Sequence, residues 1–124
     1  MRAVISIVAA MAWISSSEFI RNTFFLHDHW VQHYEALGLF FPEEPINGAM
    51  WGTWALVYAL TIFFLNKRFS LFETFAISWT YGFVMMWLVI GNLMVLPFSI
   101  LPVAVPWSMF ESFGAAWIIR VINK

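Results

Sequence analysis

Glu18, Arg21 and Glu111 each lie within long apolar stretches of the chain, and their types are the ones that could do chemistry there. A carboxylate at the centre of a membrane helix costs roughly 2.5–3.5 kcal/mol on insertion scales. Such a group comes with a proton, a partner or a use: it can hold and release a proton, or bind a cation. Glu18 and Arg21 are three residues apart, which puts them on one helix face as a local ion pair. Glu111 has no basic residue at its own depth, so a protonated, hydrogen-bonded carboxyl is expected. Ser108 and Ser112 flank it, and Asn92 lies at an outer depth comparable to that of Glu18, so these three are candidate secondary donors. Together they suggest a polar cavity open to the outer side, with Glu111 at its floor and Glu18 and Arg21 as gate or rim.

A second constellation is His27-Asp28-His29 with His33. His29 and His33 are four apart, so a helix would present both on one side, a spacing that can hold a transition metal with Asp28 or Glu35 as a further ligand. There is no HExxH motif, and His beside lipid headgroups commonly has no ligand role, so this is the weaker reading. No resident cofactor is expected. A third feature is the aromatic load of 14 Phe and 8 Trp. Trp30, Trp51, Trp54 and Trp107 fall toward one face, as an interfacial belt would. Trp107 and Tyr81 could also line a pocket for a lipid, a quinone or an organic cation.

These residues must be positioned by elements suited to a bilayer. The chain has 124 residues, 62% of them hydrophobic and 10% charged, with mean hydropathy +0.80. That leaves too little polar surface to coat a soluble globule. The net charge of −1 gives no reason to expect nucleic acid, and the absence of cysteine excludes disulfides, thiolate catalysis and Cys-based metal sites. No phosphate loop, nucleophile elbow or paired-carboxylate motif is present, so an enzyme has little support.

Charges punctuate the chain. None falls between Glu44 and Lys67, or between Glu73 and Glu111, and Pro97 breaks the latter run because the residue before a proline resists helical geometry. The reading is an all-α polytopic membrane protein, a single domain over 1–124 formed by a four-transmembrane-helix bundle with spans at about 3–25, 48–66, 71–96 and 99–122. In the outer loop 26–47, Trp30, Tyr34, Leu37 and Phe41 recur at helical spacing, with Asp28 as a possible cap and Gly38 and Pro42 as the end. A short interfacial amphipathic helix is expected there. On the fourth span, Ala104, Ser108, Glu111, Ser112 and Ala115 share one small, polar face that should turn inward, on a helix loosened by Pro102 and Pro106.

With four spans, Arg2, Lys67, Arg68, Arg120 and Lys124 fall on one side, which the positive-inside rule makes cytoplasmic together with both chain ends. A multi-pass protein of a bacterial inner membrane is expected. Residues 1–17 also resemble a signal peptide, but Trp13 and the bulky run Glu18–Phe25 favour their retention as a helix. Gly48 and Gly52 form a GxxxG pair, extended by Ala55 and Ala59, that suits close helix packing within the bundle, a homo-oligomer or a larger membrane complex.

The size and span count are similar to those of the small multidrug transporters, four-helix proteins with an essential membrane carboxylate in the first span. Here the mid-membrane carboxylate is on span four, and Glu18 near the outer end of span one is followed by Arg21, so no residue is carried over. The functional expectation is a membrane protein whose polar site around Glu111 binds or passes a proton, cation or small polar molecule. The alternatives are a non-catalytic accessory or assembly subunit, and a metal or cofactor carrier through His29 and His33.

Overall fold

The computed structural model describes residues 1–124, and its regular elements are all helical. Helix α1 (Arg2–Ile20) runs without a break into a π-turn, Arg21–Phe25, and is followed by the short α2 (His27–Ala36). Helix α3 spans Pro45–Asn66. Helix α4 (Leu71–Trp79) passes through a second π-turn, Thr80–Val84, into α5 (Met85–Asn92). A 3-10 turn, Phe98–Ile100, leads into α6 (Leu101–Ile122).

Three helices are long and apolar enough to cross a membrane: Arg2–Phe25, with 24 residues, and Pro45–Asn66 and Leu71–Asn92, with 22 each. At 1.5 Å per residue even the shorter ones reach about 33 Å, which matches a hydrocarbon core. Helix α6 also has 22 residues, but its prolines, serines and Glu111 leave it less apolar than these three.

Local chemistry sets the ends. Helix α3 starts at Pro45, three residues earlier than its apolar run suggests, with Pro45 in the first turn and Asn47 Oδ1 accepting the Glu44 N–H at 3.0 Å. Helix α4 has a reciprocal cap. Glu73 Oε2 accepts the Ser70 N–H at 2.8 Å, and Ser70 Oγ accepts the Glu73 N–H at 3.3 Å. Helix α5 ends at Asn92 rather than near Leu96, because Met94 turns left-handed at φ 64° and breaks the helix before Pro97 can. Asp28 is not the cap of α2. It lies inside the first turn, since the π-turn runs almost directly into this helix and Leu26 takes the cap position. Gly38 closes α2 at φ 73°, where the Leu39 N–H reaches back to Tyr34 O at 2.9 Å.

Helix α1 packs against α3 and α6, and α4 packs against the same two. The shared core joins Ala10 and Ile14 of α1, Ala55, Tyr58, Ala59 and Ile62 of α3, Phe83, and Ala115, Ala116 and Ile119 of α6. Alanines on three of these helices allow close approach, and burying the larger side chains excludes solvent or lipid from the centre. A smaller cluster of Leu26, Leu96, Ile100 and Ala104 fills the far end beneath Trp30.

The two ends of the structure differ. At one, Arg2 Nη1 donates to Lys124 O at 2.8 Å, Asn123 Nδ2 to Ser6 Oγ at 2.7 Å, and Arg120 to Asn66 and Phe69 of the α3–α4 connection. At the other, His29 Nδ1 meets Ser99 Oγ at 2.9 Å and His33 Nε2 meets Met94 O at 2.8 Å, so α2 is tied to the α5–α6 connection.

Candidate functional site

Helix α6 turns its small, polar face inward: Ala104, Ser108, Glu111, Ser112 and Ala115 are all buried. Tryptophan and tyrosine side chains from the neighbouring helices satisfy that face. Trp79 Nε1 donates to Ser108 Oγ at 2.9 Å, and Tyr58 Oη bonds Ser112 Oγ at 2.8 Å. Trp13 Nε1 donates to the Glu111 carbonyl at 3.0 Å, with its indole seated in the space left by Gly114. The hydroxyls expected as secondary donors are therefore already engaged with tryptophan and tyrosine. Asn92 is not part of the site, because it is exposed at the end of α5.

Glu18, Arg21 and Glu111 come together. Arg21 Nη2 donates to Glu18 Oε1 at 2.6 Å, while Nη1 of the same guanidinium lies 3.9 Å from Glu111 Oε2. Asn22 Nδ2 completes the Glu18 carboxylate at 3.1 Å, and Asn22 Oδ1 in turn accepts from Trp30 Nε1 at 3.2 Å. Glu18 is 6% exposed, Arg21 5% and Glu111 0%. Both Glu111 oxygens and Arg21 Nη1 lack a hydrogen-bond partner. A buried ion pair with unmade hydrogen bonds is an incompletely satisfied arrangement, not a stabilising clamp.

This corrects two expectations. Arg21 lies within reach of Glu111 as well as Glu18, so Glu111 does have a basic neighbour. The cluster is closed, not the floor of an open cavity. Two surface cavities lie outside it. One of about 540 Å³ is at the end that gathers the chain termini. One of about 440 Å³ is an apolar groove between α1 and α6, lined by Trp13, Ser16, Ser17, Ile20, Trp107 and Phe110. Ser17, bonded by Trp107 Nε1 at 2.9 Å, lies in this second groove, one residue from Glu18.

Two departures from α-helical geometry meet at the guanidinium. In the first π-turn the Leu26 N–H reaches five residues back to Arg21 O at 3.0 Å. In the second, Met85 N–H reaches Thr80 O and presents Phe83, whose ring centroid lies 5.7 Å from the Arg21 guanidinium carbon. Such bulges recur at functional sites because they re-aim side chains that a regular helix would point elsewhere.

No protein-family model, curated protein or solved structure matches this chain. No group of three or more His, Cys, Asp or Glu side chains comes within metal-ligating reach. His29 and His33 are used as ties to Ser99 and Met94, and His27 bonds Glu43.

Proposed function

We propose that the chain is a multi-pass membrane protein in which α6 crosses the bilayer with the three more apolar helices, and that the Glu18–Arg21–Glu111 cluster binds one positive charge, a proton ahead of any larger cation. The closeness of the first and last helical turns supports an even number of crossings. Five of the six basic residues, Arg2, Lys67, Arg68, Arg120 and Lys124, lie at or beside that end. The positive-inside rule makes it cytoplasmic. Asp28, Glu35, Glu43 and Glu44 belong to the opposite, outer end, where α2 would lie along the interface.

The observation that carries the site reading is the charge count of the closed cluster: two carboxylates share one guanidinium, and neither Glu111 carboxylate oxygen makes a hydrogen bond. With both acids ionised the cluster would hold an unmatched negative charge away from water, at a cost of several kcal/mol. One proton on Glu111 removes it. When that proton leaves, the Glu111 carboxylate competes with Glu18 for Arg21, and closing the 3.9 Å gap to hydrogen-bond length takes a shift of about 1 Å. Proton binding is thereby coupled to the position of Arg21. The test is proton flux into vesicles for wild type and Glu111→Gln. Loss of flux in the variant supports the reading, and equal flux in the two refutes it.

A second reading, an accessory or assembly subunit, is favoured by a separate observation. A Cβ added at Gly48 or Gly52 would meet nothing, so this pair is unused in the chain's own packing, whereas Ala55 and Ala59 are buried in it. On this reading Gly52→Leu disrupts assembly in mild detergent, while Glu111→Gln leaves it intact.

A further inference from the structure

The end that joins α3 and α6 carries a site with a different charge logic. Its cavity of about 540 Å³ is lined by Phe63, Asn66, Lys67, Arg120, Asn123 and Lys124, with Ile119 behind them. Three of these are cations, none is an acid, and none of the three makes a salt bridge. Two of the cations have fixed partners. Arg120 donates through Nε and Nη2 to Asn66 Oδ1 at 3.0 and 2.9 Å, and through Nη2 to Phe69 O at 2.6 Å. Its Nη1, with two hydrogens, makes no bond inside the chain. Lys67 Nζ rests 4.5 Å from the Phe63 ring centroid. Asn123 spends both amide hydrogens, on Ser6 Oγ and Ile119 O, and Asn66 gives one of its two to Ala116 O while its Oδ1 supports Arg120. Arg2, nearby, is turned to Lys124 O.

We infer that this cavity binds a phosphate-bearing anion through Lys67, Lys124 and Arg120 Nη1, with the headgroup of an anionic phospholipid as its source. Two ammonium groups and one free guanidinium nitrogen suit a phosphodiester, since Nη1 can donate a charge-assisted hydrogen bond and the lysines act as point charges. Phe63 and Ile119 give the first methylenes of the lipid an apolar wall. Basic pockets between membrane helices at the cytoplasmic end are the expected place for such headgroups. The site is independent of the Glu111 cluster and stands or falls separately from it.

The experiment is native mass spectrometry of the full chain, extracted from vesicles of equal phosphatidylglycerol and phosphatidylcholine content. The expected result is preferential retention of one phosphatidylglycerol. Lys67→Gln with Lys124→Gln should reduce that preference roughly fivefold per lysine and about thirtyfold for the pair. Arg120→Lys, which keeps the charge but removes Nη1 and the anchoring bonds to Asn66 and Phe69, should also lower the preference. Adding inorganic phosphate separates the sources: displacement of the lipid assigns the site to phosphate in general, and continued retention assigns it to the anchored headgroup. Equal retention of the two lipids by wild type, or an unchanged preference in the double lysine variant, overturns the proposal.

Discussion

Replacing Arg21 by methionine removes the guanidinium but keeps most of its length and its apolar stem. Two buried carboxyls then lose their common counter-charge. One was held at 2.6 Å and the other lay at 3.9 Å. A pair of unit charges about 4 Å apart, at an effective dielectric of about 20, interacts by about 4 kcal/mol. Removing one partner of a buried pair costs about 3–5 kcal/mol, because the remaining charge is left without water or a mate. Arg21→Met should therefore destabilise the protein by about 3–5 kcal/mol, a large share of the stability of a small domain. Glu111→Gln should cost less than about 1 kcal/mol, since it nearly conserves volume and leaves Arg21 with Glu18 as a matched pair. Adding Glu18→Gln to Arg21→Met removes the stranded charge and should recover about 2 kcal/mol, within the range of coupling between contacting residues. Equilibrium unfolding in mixed detergent micelles measures all four proteins. If Arg21→Met is as stable as wild type, or Glu18→Gln adds its own cost to it without recovery, the guanidinium does not hold these carboxyls and the reasoning fails.

Two further outcomes follow from the packing and from the end that carries α2. A Cβ at Gly82 would lie 2.7 Å from Tyr58 Cε2, and that ring is fixed by its stack on Trp54 at 4.9 Å and its bond to Ser112 at 2.8 Å. Gly82→Ala should cost about 1–3 kcal/mol by overpacking and should weaken the aromatic near-ultraviolet circular dichroism. At the end that carries α2, the hydrogen bond to the Glu43 carboxylate holds the His27 imidazole above its ordinary 6.5, with Asp28 adding to the effect. Because the folded value is the higher one, this contact's stabilisation is complete below about pH 6.5 and is lost as the pH rises through the folded value. An NMR titration of the imidazole in micelles should show the raised midpoint, and Glu43→Gln should return it toward 6.5. An unchanged midpoint in that variant would assign the shift to another group.

The helical class and the three helices long and apolar enough to cross a membrane were legible because long apolar runs and a bilayer's thickness are both one-dimensional facts. The buried face of α6 was legible for a similar reason: Ala104, Ser108, Glu111, Ser112 and Ala115 repeat at helical spacing, and periodicity survives into any helix packing. The approach of Arg21 to Glu111 was not, since it joins residues ninety positions apart through the pairing of α1 with α6 and through a π-turn that sequence does not announce. The capping of α3 escaped notice because Pro42-Glu43-Glu44-Pro45 reads first as a turn. The local sign was there in Pro45 followed by Asn47 at the third helical position. The engagement of Ser108 and Ser112 depends on where Trp79 and Tyr58 reach across from other helices, which no spacing along α6 encodes.

The π-turn at Arg21–Phe25 has a consequence for lineage and for engineering. Each such turn holds one residue more than the α-helix would, and one residue corresponds to a rotation of about 100°. A single deletion within 21–25 would be absorbed as ordinary helix and would leave the span intact. It would also swing everything after the gap around the helix axis, including Trp30, whose bond to Asn22 braces the carboxylate of Glu18. The same holds for Thr80–Val84 and Phe83. A homologue one residue shorter in either helix would thus keep the architecture and lose the bracing of the cluster by Trp30 or Phe83. Gap placement at these two turns, together with the identity of residue 111, would mark chains that keep the whole arrangement.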